Sequence, residues 1–114
     1  MTEEKPGVLA VVTDVEPEYE DEYRRWMTEE VLPARVALDG VIGARQWVLK
    51  DIGQKVGISM GLLPRHLLMY DFEDVTIPVQ PPFRALAGSS EWGRRITPHM
   101  HNVYRGNFEE VFRL

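Results

Sequence analysis

The sequence predicts an α+β fold: four strands and two helical units in the order β-α-β-β-α-β, the strands forming one four-stranded antiparallel sheet. Three observations predict it. Val8 to Thr13 and Arg65 to Phe72 are short runs apolar at both parities, which implies strands buried on both faces. Tyr19, Tyr23, Trp26, Met27 and Glu30 recur at three- and four-residue spacing, which predicts a helix with one aromatic face. Glycine and proline punctuate the chain between these segments, at Pro6, Gly7, Gly40, Pro64, Pro82 and Pro98.

Taken in order, the first strand, VLAVVT, is closed off by Pro6-Gly7 before it and Asp14 after it. Pro17 stands where a helix can begin, and Glu16, Glu18, Glu20, Asp21 and Glu22 place negative charge at the positive end of its dipole. Pro33 bends or ends the regular helix. Gly40 turns the chain into Val41 to Leu49, a strand whose Arg45 and Gln46 suit a place nearer an edge. Residues 51–64, with Gly53, Gly57, Gly61 and Pro64, predict a long loop or lid. The third strand looks central. After the connection Thr76 to Pro82, Phe83 to Ala87 and Glu91 to Thr97 are two helical pieces divided by Gly88, Ser89 and Ser90, with a serine available as N-cap. His101 to Phe112 is the last strand, with Gly106 a candidate bulge. This is the split βαβ order of ferredoxin-like protomers, with expected strand order 4-1-3-2. Helices on one face leave the other bare although strands one and three are apolar there, which predicts a homodimer joined through the open sheet face.

Composition narrows the function. The chain has 114 residues, the size of one domain spanning 1–114 with residues 1–6 as a tail. No apolar run approaches the roughly 20 residues of a membrane span. No secretory signal is visible and cysteine is absent, so disulfides, Cys-ligated metals and thiol nucleophiles are excluded, and a cytoplasmic home fits. The net charge is −5, with the acidic excess concentrated before residue 57 and no Lys/Arg stripe. Nucleic acid and anionic membranes are therefore poor partners, because binding them requires basic side chains set against phosphates.

The stretch Trp26, Met27, Thr28, Glu29, Glu30, Val31, Leu32, Pro33, Ala34, Arg35, followed by Gly40 and Arg45, resembles the segment WxxEEHLPxR…PG…R of EthD-like members of the dimeric α/β-barrel superfamily. Phe83 to Leu86, then Trp92 and Arg95, then Tyr104 and Arg105, are similar to that family's second helix and last strand. The resemblance implies a ferredoxin-like protomer, a sheet-to-sheet dimer and a pocket between helices and sheet. It also implies cofactor-free chemistry on aromatic or polyketide-like molecules, of the isomerase, lyase or monooxygenase kind, in a superfamily that also has members without known activity. Two positions depart: Val31 stands where the motif has histidine, and Asp39 where it has proline.

The residues supply candidates for that chemistry. Glu30 falls one turn below Trp26 toward the sheet, where partial burial suits a general acid or base; the alternative is an ion-paired glutamate, with Arg35 as partner. Arg35 suits a carboxylate or enolate clamp through its planar fork, or a structural salt bridge. His99 and His101 form an H-x-H that could move protons near neutral pH in place of the missing histidine. A metal site lacks a third ligand, because His66 lies about 10 Å from strand four across the intervening strand. Trp26, Trp47, Tyr70, Trp92 and Tyr104 would wall a flat apolar pocket or pack in the core. No phosphate loop, dinucleotide fingerprint or nucleophile motif is present, so no cofactor is expected. The two functions left standing are a cofactor-independent small-molecule enzyme using Glu30, His99 or His101, and a non-catalytic binding or accessory dimer that has lost the family histidine.

Overall fold

The computed structural model describes residues 5–50, 63–86 and 90–114. The chain runs β1 (Gly7–Val15), α1 (Glu20–Trp26), a π-helical turn (Met27–Val31), α2 (Leu32–Val36), β2 (Val41–Val48), β3 (His66–Phe72), α3 (Pro81–Arg84), α4 (Glu91–Ile96) and β4 (Met100–Glu109). Short 3₁₀ turns at Pro17–Tyr19, Ile77–Val79 and Thr97–His99 join them. The four strands form one sheet in the order β2-β3-β1-β4, every pair antiparallel. The expected ferredoxin-like arrangement is therefore the one observed, with β3 and β1 central and β2 at an edge. The expected lid falls on residues 51–62, which lie outside the described residues, apart from its last two positions.

Strand parity divides the molecule into a core face and an open face. Leu9 and Val15 from β1, with Leu68, Tyr70 and Phe72 from β3, turn toward the helices and are buried together with Tyr23, Trp26, Met27, Val31, Phe83 and Ile96. Burying side chains of this size contributes roughly 1.5–3 kcal/mol each. Residues of the opposite parity, including Val8, Ala10, Val12, Leu67 and Met69, lie on the other face. All helices pack on one side, so the molecule is a slab 18 Å along its shortest axis.

Local sequence explains the irregularities. Pro33 has no N–H to give the preceding turn, and the helix answers with the π turn Met27–Val31 before α2 resumes, a bend rather than an end. Ser90 caps α4, its Oγ accepting from Gly93 N at 3.0 Å. Gly40 adopts φ +85°, the left-handed turn that delivers the chain into β2. The bulge in β4 is not at Gly106, which pairs regularly with Ala10; the ladder shifts between Val12 and Asp14, opposite Asn102 at φ +52°. Asn is one of the few residues that tolerates that backbone region, and its Nδ2 donates to Asp14 Oδ2 at 2.9 Å.

Candidate functional site

A recess of about 170 Å³ lies between the helices and the sheet. Its apolar walls are Val11, Trp26, Met27, Val31, Leu68 and Met100, and its polar groups come from Tyr23, Arg35, Thr97 and Arg105. The sheet supplies one side through a single register row: Arg105 pairs with Val11, and Val11 with Leu68. The helical side comes from the aromatic stripe of α1 and from the π turn, which carries Val31 onto the recess.

Arg35 reaches across from α2. Its Nη1 donates to the Tyr70 hydroxyl oxygen at 2.8 Å and its guanidinium lies over the rings of Phe83 (4.6 Å) and Tyr70 (5.3 Å). It does not pair with Glu30, and its Nε is buried without a partner among the described residues. Burial pushes the Tyr70 phenol up, against the opposing influence of Arg35 and Arg105. Tyr23 is fully buried, its hydroxyl has no partner among the described residues, and burial raises its ionisation well above the usual phenol range. Both phenols are therefore neutral hydrogen-bond donors at physiological pH.

Glu30 is fixed outside the recess lining. Its Oε2 accepts from Trp26 Nε1 and from Ser90 Oγ, each at 2.6 Å, so the carboxylate joins α1 to the start of α4. Trp26 both walls the recess and donates to Glu30. His99 and His101 converge elsewhere. His99 Nδ1 donates to Glu16 Oε2 at 2.6 Å, its ring stacked 3.6 Å from Tyr19, and His101 Nε2 lies 3.4 Å from the same oxygen. The His99 hydrogen bond holds the Glu16 carboxyl below the usual range.

The aromatic candidates divide three ways. Trp26 lines the recess, and Tyr70 stands behind it, bonded to Arg35. Trp92 is half-buried beneath Arg25, whose guanidinium lies 5.8 Å from the ring. Trp47 and Tyr104 are on the open face, 46% and 64% exposed, at the two ends of the row Trp47, Leu67, Val12, Tyr104. Arg105, not Tyr104, faces the helices, because the bulge at Asn102 reverses the parity of β4.

A second polar cluster lies deeper on the core face. His66, 1% exposed, donates through Nε2 to Glu20 Oε1 at 3.2 Å, and Arg65 Nε meets the same oxygen at 3.0 Å. The His66 ring tilts against Tyr23 at 5.1 Å, and its Nδ1 is buried without a partner among the described residues. Burial holds this imidazole below the usual histidine range, although Glu20 opposes the shift. Among the described residues no three His, Asp or Glu side chains gather as a metal would require, and no helix is long and apolar enough to cross a membrane.

Three solved structures share the architecture. The heme-degrader MhuD of Mycobacterium tuberculosis, solved with two hemes in its active site, has a TM-score of 0.58 at 15% identity, covering 95% of this chain and 98% of its own. A Dabb family protein with a ferredoxin-like fold from Mesorhizobium loti gives 0.58 at 14%, covering 96% and 100%. A dimeric ferredoxin-like protein from an uncultured marine organism gives 0.56 at 11%, covering 98% and 100%. The likeness establishes the ferredoxin-like fold. The sequence matches no protein-family model and no curated protein sequence.

Proposed function

We propose that this chain is a small-molecule-binding protein of the EthD-like kind, working as a cytoplasmic homodimer, whose recess holds a compact, largely apolar ring. The observation that carries the proposal is the lining itself: apolar walls with a few convergent donors, the usual make-up of a ligand site. The groups suited to proton transfer are engaged elsewhere, Glu30 by Trp26 and Ser90, His99 and His101 by Glu16. Val31 on the recess supports a binding role in which the family histidine has been lost. Size limits the occupant. At about 170 Å³ the recess is below the ~300–1,000 Å³ of sites for drug-sized ligands, and the heme of the mycobacterial neighbour is not carried over to it.

A second reading rests on the Trp26–Glu30 hydrogen bond, which links the recess to a carboxylate. Here the protein is a cofactor-independent enzyme, Glu30 moving a proton once a ligand displaces the indole, with an aromatic or polyketide-like substrate.

One NMR titration addresses both. With methyl-labelled methionine, phenol should shift the Met27 and Met100 signals, which report the recess, and leave Met69 on the open face unmoved; Val31→Trp should fill the recess and abolish the shifts. Unmoved Met27 and Met100 in the wild type would overturn the proposed site. In D₂O, protein-dependent deuterium uptake into a ligand carbon that disappears in Glu30→Gln would favour the enzyme.

A further inference from the structure

The polar half of the recess has a single sign. Arg35 and Arg105 both line it, neither has a carboxylate partner among the described residues, and no aspartate or glutamate lines it with them. By contrast Arg25, Arg45, Arg65, Arg95 and Arg113 each meet an aspartate or glutamate. Arg35 is already oriented, held by the Tyr70 oxygen and stacked on two rings, so fixing it for a ligand needs little further ordering.

The two guanidiniums reach the recess from different walls, Arg35 from α2 and Arg105 from β4, where it pairs with Val11 in the row that forms the sheet side. Guanidiniums only donate, and what two of them jointly lack is an acceptor with two or more lone-pair sites.

Resting on the binding role proposed above, we propose that the recess recognises an aromatic carboxylate, its oxygens met by the Arg35 and Arg105 guanidiniums and its ring held among Trp26, Met27 and Met100. The volume fits one ring: an apolar cavity of about 150 Å³ accommodates benzene. The charge complement then separates an acid from its neutral isostere, because a neutral amide leaves the guanidiniums without an anion and brings an N–H toward donors.

The test compares benzoate with benzamide by the same methionine-methyl titration. Benzoate should shift Met27 and Met100, and benzamide should bind at least about tenfold more weakly, the scale of one charge-assisted hydrogen bond. Arg105→Gln should weaken benzoate about tenfold and leave benzamide unchanged. Equal binding of the two probes, or benzoate affinity unchanged in Arg105→Gln, overturns the carboxylate assignment and leaves the binding role standing. If neither probe moves Met27 or Met100 while phenol does, the carboxylate assignment falls alone; if phenol fails as well, both fall together.

Discussion

His66 shows how much a single residue's surroundings decide. A histidine on an apolar strand is placed by parity on the core face, where desolvation disfavours its charged form more than Glu20 restores it. Its imidazole therefore titrates lower in the folded chain than in the unfolded one, and the unfolded chain binds the extra proton. Stability from this residue is complete above the unfolded histidine value, about 6.5, and is lost as pH falls through the lower folded value. Urea midpoints measured between pH 7.5 and 5 should fall toward acid in the wild type, and the fall should be shallower in His66→Gln. Equal slopes would remove His66 from the account. The Glu16 cluster adds its own loss at still lower pH, because its carboxyl is held below the usual range by His99, and the comparison of the two proteins separates that contribution. Of the candidate site, Trp26 was legible at this scale, since helical spacing places it on the sheet-facing side, whereas Arg35 stood out only through the motif resemblance, because the π turn between them breaks the regular count. Glu30 was placed correctly beneath Trp26, but its partners were not: the Ser90 hydroxyl comes from 60 residues further along the chain, and no spacing rule reaches that far.

At the scale of elements, the fold was more legible than the site because strands and helices follow local periodicity, whereas facing directions follow from single irregularities. The order of elements, the central place of β3 and the Ser90 cap all come from apolar runs and turn residues. The direction of β4 does not. Uninterrupted alternation from Met100, opposite Val15 on the core face, would turn Tyr104 inward and Arg105 outward; the residue out of step at Asn102 exchanges them. The sequence offered Gly106 as the bulge signal, and the structure uses an asparagine secured by Asp14, whose carboxyl this hydrogen bond lowers in turn. Asn102 is therefore the residue on which the recess depends for Arg105. Asn102→Val, a β-branched side chain at φ +52° with the Asp14 bond removed, should cost about 1–3 kcal/mol of stability, measured by urea unfolding. Asn102→Gly keeps the backbone conformation and loses only the side-chain bond, so its cost should be smaller, about 1 kcal/mol. If the valine variant were as stable as the wild type, the bulge would not be a constraint on the strand.

At the scale of the molecule, the two faces of the sheet make opposite demands. Helices satisfy one. The other presents the row Trp47, Leu67, Val12, Tyr104, apolar from edge to edge, with Met69 and Ala10 in the next row and Val8 and Phe108 beyond. A continuous apolar surface of this extent is unfavourable in water, and a face built from four antiparallel strands is matched in shape by its own copy turned through a two-fold axis. Charge supports the same pairing, since the acids of the open face are few and Asp71 is already met by Arg45 at 3.7 Å. We therefore expect light scattering to give the mass of a dimer. Leu67→Glu places a carboxylate in the middle of the apolar row, where a symmetric interface would bury two copies of it without a counter-charge. It should yield a monomer that keeps its far-ultraviolet circular dichroism, because Leu67 points away from the helices that make the core. A dimer of unchanged mass and concentration dependence would mean that another surface joins the copies. The recess lies on the opposite side of the sheet, so the separated protomer should still shift Met27 and Met100 on binding benzoate; loss of that response on dissociation would instead make the partner a structural requirement of the site.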